Sequence, residues 1–487
     1  MSGENAASSP LRAESIAKWD RDADVVIVGY GGAGACAAIE AARAGASVLL
    51  LERAGGGGGT TAMSAGHLYL GGGTRVQKAT GYEDSPENMR DYLMQCSDDP
   101  DEEKVEIYCN NSVEHFEWLV ELGVPFRDSI LEERVMMQRT DDGVIWSGNE
   151  KAWPFREHAT PAPRGHKPQA EEEGGPLLFA KLHEAAQAAG AEALYDTAVQ
   201  TLVLADDGRV VGVMARHMGE ELAVRARRGV VLCSGGFALN ESMLRHHMPR
   251  IAGKVESIGN PYDDGAGILM GMAARGTSIH MSEYHITLPH YPPSSLTKGI
   301  LVNGQGQRFV NEDCYHGRIG AYCALQPGGI VYLIADNAHF GWPELRDFEL
   351  AETAESIAEL EEALGIPDGM LQHSVEVYNR HAKEGRDPVF HKQATWLAPI
   401  EEPPFAALDC RLGKAPYMAF PLGGLWTRPT GEVLTAEGQP VAGLYAAGRT
   451  TCGISRSAEG YASGTCIADA TYFGRLAGRR VASASPA

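Results

Sequence analysis

The sequence predicts an α/β fold in which one large domain is interrupted by a smaller α+β domain. Three observations predict it: a glycine-rich strand-to-helix turn near the amino terminus, a second buried strand that breaks at glycines near residue 234, and a return of short strands and a small-residue helix after residue 405. A chain of 487 residues exceeds one ordinary core and can bury a large cofactor. Its 42 basic and 64 acidic residues leave a net charge of -22, which repels phosphate backbones and anionic membranes and excludes nucleic acid as a partner. Nine cysteines without any C-x-x-C pair fit neither a disulfide framework nor a structural zinc site, so no metal is expected and the compartment is read as reducing. "MSGENAASSPLRAESIAKWD" has no apolar signal region, and no stretch of eighteen apolar residues follows; a cytoplasmic protein without an integral membrane segment is expected.

Residues 1–22 are read as a tail and residues 23–274 as the first part of the large domain. Its first element is "DADVVIVGYGGAGACAAIEAARAGASVLLLER", a β-branched run, a glycine turn, an alanine-rich helix and a second apolar run ending in an acid. Gly29, Gly31 and Gly34 have the G-x-G-x-x-G spacing of a Rossmann-like dinucleotide fold, with Gly32 and Ala33 inside the turn. Gly29 allows the tight turn, Gly31 lets backbone amides approach a pyrophosphate at the helix N-terminus, and Gly34 lets helix and strand pack closely. Glu52, eighteen positions after Gly34 and followed by Arg53, can accept ribose hydroxyls.

The five-glycine run Gly55 to Gly59 reads either as part of this site or as a flexible linker. Trp153 to Gly175, rich in Pro, Glu and Arg, reads as a surface loop. A helix and two strands joined by a turn at Asp207 and Gly208 follow, then "RGVVLCSGGFALN", a buried strand whose end is where a cofactor rests. Residues 275–405 change character, with histidines, prolines and two acidic helical stretches, "ELRDFELAETAESIAELEEAL" and "DGMLQHSVEVYNRHAKEG"; this is the candidate inserted domain. Residues 406–480 return to the first domain, and 481–487 read as a disordered tail. His280, His285 and His290 recur every five residues, which matches no metal spacing and reads as loop or pocket lining.

The phrases "VVIVGYGGAGACAAIEAARAG", "TTAMSAG", "VVLCSGGF", "DDGAGILMGMAARG", "GQRFVNE" and "GLYAAGRTT", in this order, resemble the FAD-binding fumarate reductase and ketosteroid dehydrogenase flavoproteins over nearly the whole chain. The resemblance implies an FAD domain interrupted by a smaller catalytic or capping domain, with the isoalloxazine at their interface. It implies that Gly29, Gly31, Gly34 and Glu52 hold the ADP half, and that Thr60, Thr61, Ala62, Ser64, Ala65 and Gly66 line the pyrophosphate and flavin. Val199 would present backbone to adenine, Ser234 and Gly235 would close over the phosphates, and Gly448 with Arg449 would meet the ribityl chain; Asp264, Cys466 and Ile467 complete the expected set. Arg449 stands where family members often have an acid or Asn. Thr60 and Thr61 occupy the stretch in which covalently flavinylated members carry a histidine, so noncovalent FAD is expected.

The dicarboxylate reductases of this family resemble one another in an H-G-x-N-R stretch that clamps two carboxylates. Here it reads "ISRSAEGYASG", whose Glu459 and Tyr461 cannot do so; Arg318 and Arg456 are the remaining cations for a fumarate-reductase-like alternative. The stretch instead resembles ketosteroid dehydrogenases, in which a tyrosine in the place of Tyr461 donates to the steroid 3-keto oxygen. Tyr315, after "RFVNEDC", matches their catalytic tyrosine, and Ser463 is its candidate proton relay. The alternatives are a Tyr461 that merely packs on the flavin, a cavity-lining Tyr315 and a Ser463 that caps the helix "GTCIADATYF". Arg308, Asn311 and Glu312 are expected to brace the domain interface. "YASGT" departs from the Y-x-G-P-G-A-T loop of the 1-dehydrogenases, which favours 4-dehydrogenation of 5α-reduced 3-ketosteroids: Tyr315 with Ser463 removes a C4 proton and C5 gives hydride to flavin N5. A 1-dehydrogenase and a redox-silent flavoprotein are the further alternatives. One dinucleotide fingerprint marks no bound nicotinamide, so an external electron acceptor is expected.

Overall fold

Four consecutive β-branched residues, Val25 to Val28, suit a strand covered on both faces. In the computed structural model, which describes residues 9–486, they end the strand Arg21–Val28, and all four are buried. This strand runs parallel to Val48–Leu51 on one side and to the long strand Glu220–Leu232 on the other. The whole sheet has nine strands among the described residues. Glu220–Leu232 is its hub: its first half pairs antiparallel with Val210–His217, and its last residues pair in parallel with Pro440–Ala446, so the chain does re-enter this sheet after the inserted segment.

Two helices lie together on one face. The fingerprint helix Gly32–Arg43 packs on the C-terminal helix Thr465–Ala482, and glycines set the spacing: a Cβ on Gly478 would sit 2.3 Å from the Ala37 carbonyl oxygen, and one on Gly474 2.6 Å from that of Ala33. Arg475, also in this contact, is buried yet paired, with Glu114 at 2.7 Å.

The inserted segment carries an antiparallel four-stranded sheet in the order Ile300–Asn303, Val331–Ala335, Phe405–Asp409, Leu350–Ala354, and the segment extends past the expected boundary at residue 405, since Met418–Pro421 also pairs with its strand Tyr284–Thr287. The first acidic stretch is thus not one helix. Its middle pairs with Phe405–Asp409, and the helix Ile357–Leu364 begins only where the Ser356 hydroxyl accepts the Glu359 N–H at 3.2 Å. The second stretch is the helix Met370–Lys383.

Three other expectations are corrected. Within the expected tail 1–22, Leu11–Arg12 is an edge strand parallel to Val203 and Leu204, while residues 1–8 lie outside the described residues. Within the expected tail 481–487, Val481 and Ala482 are buried residues of the last helix, and Ala487 lies outside the described residues. Trp153 to Gly175 is not simply a surface loop: its Glu residues are exposed, but Arg164 and Lys167 are buried and find partners inside. Arg164 and Asp84 form a fully buried pair at 2.8 Å, and the Lys167 ammonium donates to the carbonyls of Gln138, Thr140 and Ala170. The segment also supplies the strand Gly165–His166 to a second four-stranded sheet.

All nine cysteines are unpaired, and no helix among the described residues is long and apolar enough to cross a membrane.

Candidate active site

The strand ends surround a cavity of about 640 Å³. At one end the glycine turn does what its spacing asks. Gly29 has φ +99° and a Cβ there would sit 2.5 Å from the Cys233 carbonyl oxygen; a Cβ on Gly34 would sit 2.1 Å from that of Gly29. Around Gly31, by contrast, the nearest atom to such a carbon is 3.7 Å away, so the backbone is open to a ligand. Glu52 clamps this turn as well as facing the cavity, accepting the N–H groups of Tyr30 at 2.7 Å and Ala54 at 2.8 Å. The five-glycine run is no linker: Gly58 has φ +131°, and a Cβ on Gly57 would strike the Phe179 and Tyr30 rings at 2.8 and 2.9 Å.

Of the expected cofactor residues, Gly29, Gly31, Gly32, Ala33, Glu52, Arg53, Thr60, Thr61, Ser64, Ala65, Gly66, Val199, Ser234, Gly235, Asp264, Gly448, Arg449, Cys466 and Ile467 line the cavity. Gly34 and Ala62 do not: Gly34 is spent on strand-helix packing, and Ala62 packs against the core beside the fingerprint helix. Thr61 accepts the Gly32 N–H at 3.2 Å, and Arg53 pairs with Asp264 at 2.7 Å while lying over the Tyr262 ring. Sequence reasoning missed Asp263, which takes the Thr60 hydroxyl at 2.7 Å. Burial pushes its carboxyl up from the ordinary value, against the pull of the Thr60 and Asn260 hydrogen bonds. It also missed His67, a cavity residue whose Nε2 is 3.0 Å from Gln138 and whose imidazole burial pulls down to about 4. The open turn at Gly31 and the buried, unpartnered Ser234 hydroxyl are the fittings a dinucleotide would fill.

The other end of the cavity is built by the loop before the last helix. A Cβ on Gly460 would sit 1.8 Å from the Cys96 carbonyl oxygen, and the Ser463 N–H donates to Ser147 at 2.8 Å, so the loop is held from both sides. The helix N-cap is Gly464, φ +95°, with no side-chain cap. Ser463 is therefore free of the capping role, and its hydroxyl lies 2.6 Å from the Tyr315 hydroxyl. Ser463 and Tyr461 line the cavity; Tyr315, 5 % exposed, stands behind Ser463, its N–H donated to Asn149 at 2.9 Å. The Tyr461 ring is stacked at a tilt on His285, centroids 4.2 Å apart, and meets Phe420 edge-on at 5.6 Å.

Burial raises the pKa of both phenols above the usual value, and the Ser463 hydrogen bond pulls that of Tyr315 part of the way back. Both are thus proton donors at neutral pH, and ionising Tyr315 is costly. His285 is neutral, its imidazole pulled by burial down to about 3. His280 lies apart, 3.2 Å from Asp99, and His290 is buried. The two cations of the fumarate alternative are engaged away from the wall, Arg456 with Asp101 at 2.5 Å and Arg318 with Glu459 at 3.7 Å. Arg308 and Glu312 form a buried network with Asp387 and Lys392, and Asn311 donates to the Trp153 carbonyl at 3.3 Å.

The chain matches the FAD binding domain family over residues 24–465. It is similar to the crystal structure of 3-ketosteroid-delta4-(5alpha)-dehydrogenase from Rhodococcus jostii RHA1 in complex with 4-androstene-3,17-dione, with 46% identity, a TM-score of 0.93, and 98% of this chain and 100% of that chain covered. It is 27% identical to 3-oxo-5-alpha-steroid 4-dehydrogenase of Comamonas testosteroni, covering 88% of this chain and 93% of that protein. NADH:acrylate oxidoreductase of Vibrio harveyi is 30% identical over 77% of this chain, which spans only 36% of that relative's length. Because the family match runs from the strand Arg21–Val28 to the start of the last helix, inserted segment included, the chain belongs to the FAD-binding flavoproteins that comprise the fumarate reductases and ketosteroid dehydrogenases.

Proposed function

We propose that the protein dehydrogenates 5α-3-ketosteroids to 4-ene-3-ketosteroids. The observation that carries this reading is the 2.6 Å contact between Tyr315 and Ser463, set at the cavity wall that Tyr461 also lines. Gly31, Gly32, Glu52, Thr61, Ser234 and Arg449 would hold FAD, which when bound supplies a two-electron acceptor for the C5 hydrogen. Tyr461, a neutral phenol, donates a hydrogen bond to the 3-keto oxygen and stabilises the charge that builds there when C4 loses its proton. Ser463, the hydroxyl at the wall, takes the C4 proton as its own proton passes to the ionised oxygen of Tyr315. Only the ionised fraction of Tyr315 is competent, and its pKa lies above 10. The rate should therefore rise with pH and show no plateau below about pH 10, which a pH profile of the pre-steady-state rate checks. The tyrosines, histidine and Phe420 around this end suit an apolar, uncharged ring system better than a dicarboxylate.

Incubation with 5α-androstane-3,17-dione and an artificial acceptor should give the 4-ene product. A planar 4-ene steroid has no C5 hydrogen to give and should be left unchanged, whereas a 1-dehydrogenase would convert it. Mass spectrometry and NMR locate the double bond; unsaturation between C1 and C2 would support the runner-up. An external acceptor is part of this reading, as is a reducing cytoplasmic setting, for which nine unpaired cysteines are the support. FAD is held noncovalently, given Thr60 and Thr61 on the wall and a His67 already engaged by Gln138. Acid or heat should release it to the supernatant, and a flavin that stayed with the precipitate would point to His67.

A further inference from the structure

Arg449 stands on the cavity wall without a counter-ion. Its terminal nitrogen donates to two backbone carbonyls, Pro421 at 3.1 Å and Leu422, while its Nε is buried and has no partner. No carboxylate lies within ion-pair distance of it among the described residues; the groups that feel its charge include the neutral Cys466 thiol and two carboxyls that are spoken for. Asp469 accepts the Ile454 N–H at 2.8 Å and also faces the buried Lys104, and Asp263 holds Thr60 and Asn260. Burial raises the pKa of both carboxyls, which makes them poor counter-ions. A guanidinium keeps its proton at any working pH, and Arg449, half-buried on the wall with no carboxylate in ion-pair reach, is a cation that an arriving anion can meet. The position says where that anion forms. Arg449 hangs from the carbonyls next to Phe420, which packs on Tyr461, so it serves the end of the cavity with the tyrosines and not the end with Glu52.

We propose that Arg449 is the fixed cation that stabilises the negative charge arriving on the ring system of the bound flavin, and so raises its affinity for electrons. A hydride brings two electrons and one proton, which leaves the ring one negative charge in excess unless a second proton follows. Arg449 cannot give that proton, so it favours the anion. The inference rests on FAD binding and is independent of the steroid.

Sulfite adds to oxidised flavin and leaves the same charge on the ring, so its Kd reads the cation with no substrate present. In the holoenzyme, Arg449→Gln should weaken sulfite binding on the order of a hundredfold and lower the midpoint potential by the equivalent, about 60 mV for a two-electron couple; Arg449→Lys should recover most of both. The wild-type protein offers a second reading should Arg449→Gln fail to fold. Its potential should fall by about 30 mV per pH unit near neutrality, one proton per two electrons, where uptake of two protons gives about 59 mV. An Arg449→Gln holoenzyme with unchanged sulfite affinity, or a wild-type slope near 59 mV, overturns the proposal. So does a variant that keeps its potential but loses affinity for fumarate, since the cation would then belong to a carboxylate site.

Discussion

Tyr461→Phe should lower turnover of a 5α-3-ketosteroid on the order of a hundredfold, the effect of removing one donor from an oxygen that gains charge in the transition state, about 2.7 kcal/mol. The ring would stay where it is, gripped by His285 and Phe420, so FAD content and fold should be unaffected. A Tyr461 that merely packed on the flavin would lose nothing by this change, and an unaltered kcat in a fully loaded variant would assign it that role. Ser463→Ala and Tyr315→Phe should each slow the proton-transfer step by a comparable factor. Because one hydrogen bond joins them, the double variant should be little worse than either single one. Losses that multiply would show two independent groups instead of one relay.

Asp84→Ala should cost about 3–5 kcal/mol of folding stability, since it strands the Arg164 guanidinium in the interior. Asp84 accepts from Arg164 at two positions, from the Gly72 N–H at 3.0 Å and from the side chains of Gln77 and Asn88, and Arg164 Nη1 already lacks a partner. Replacing both residues by apolar ones should cost less than Asp84→Ala alone, which denaturant midpoints of the two variants would show. The same pair predicts an acid limb. Burial raises the Asp84 carboxyl, but Arg164 outweighs it and holds the pKa below the ordinary value. The pair's contribution is then full above the unfolded carboxylate range near pH 4 and is lost as the pH falls through the depressed folded value. A wild-type stability that did not fall in that window would remove the pair from the account.

The cofactor end of the site was legible because its signals are local. The glycine turn, Glu52 and the strand ending at Ser234 each lie in one short stretch, and each constraint acts on a backbone a few residues away. Asp263 was overlooked beside Asp264, since two adjacent acids read alike until burial separates them. The end with Tyr315, Tyr461 and Ser463 was legible only through resemblance. Tyr315 and Ser463 are 148 residues apart, and nothing in the spacing of "YASGT" says whether a serine before a helix caps it or faces a distant phenol. His285 and Phe420, which fix the Tyr461 ring, come from strands with no motif at all. The misread segments share one cause. Charge and proline mark a surface when unpaired, and Trp153 to Gly175 carries Arg164 and Lys167 inward because Asp84 and three carbonyls wait there; Leu350–Ala354 has helix-forming neighbours but a vacant sheet edge beside it.

The wall of the cavity is drawn from both extremes of the chain, from Val28 at the end of the strand Arg21–Val28 to Ala470 in the last helix. During synthesis the glycine turn leaves the ribosome first, yet it faces solvent on one side until residues 461–470 have been made and the last helix has docked on the fingerprint helix. The wall is accordingly completed late: a nascent chain halted before Tyr461 lacks the stretch from Tyr461 to Ala470 that closes the tyrosine end of the cavity.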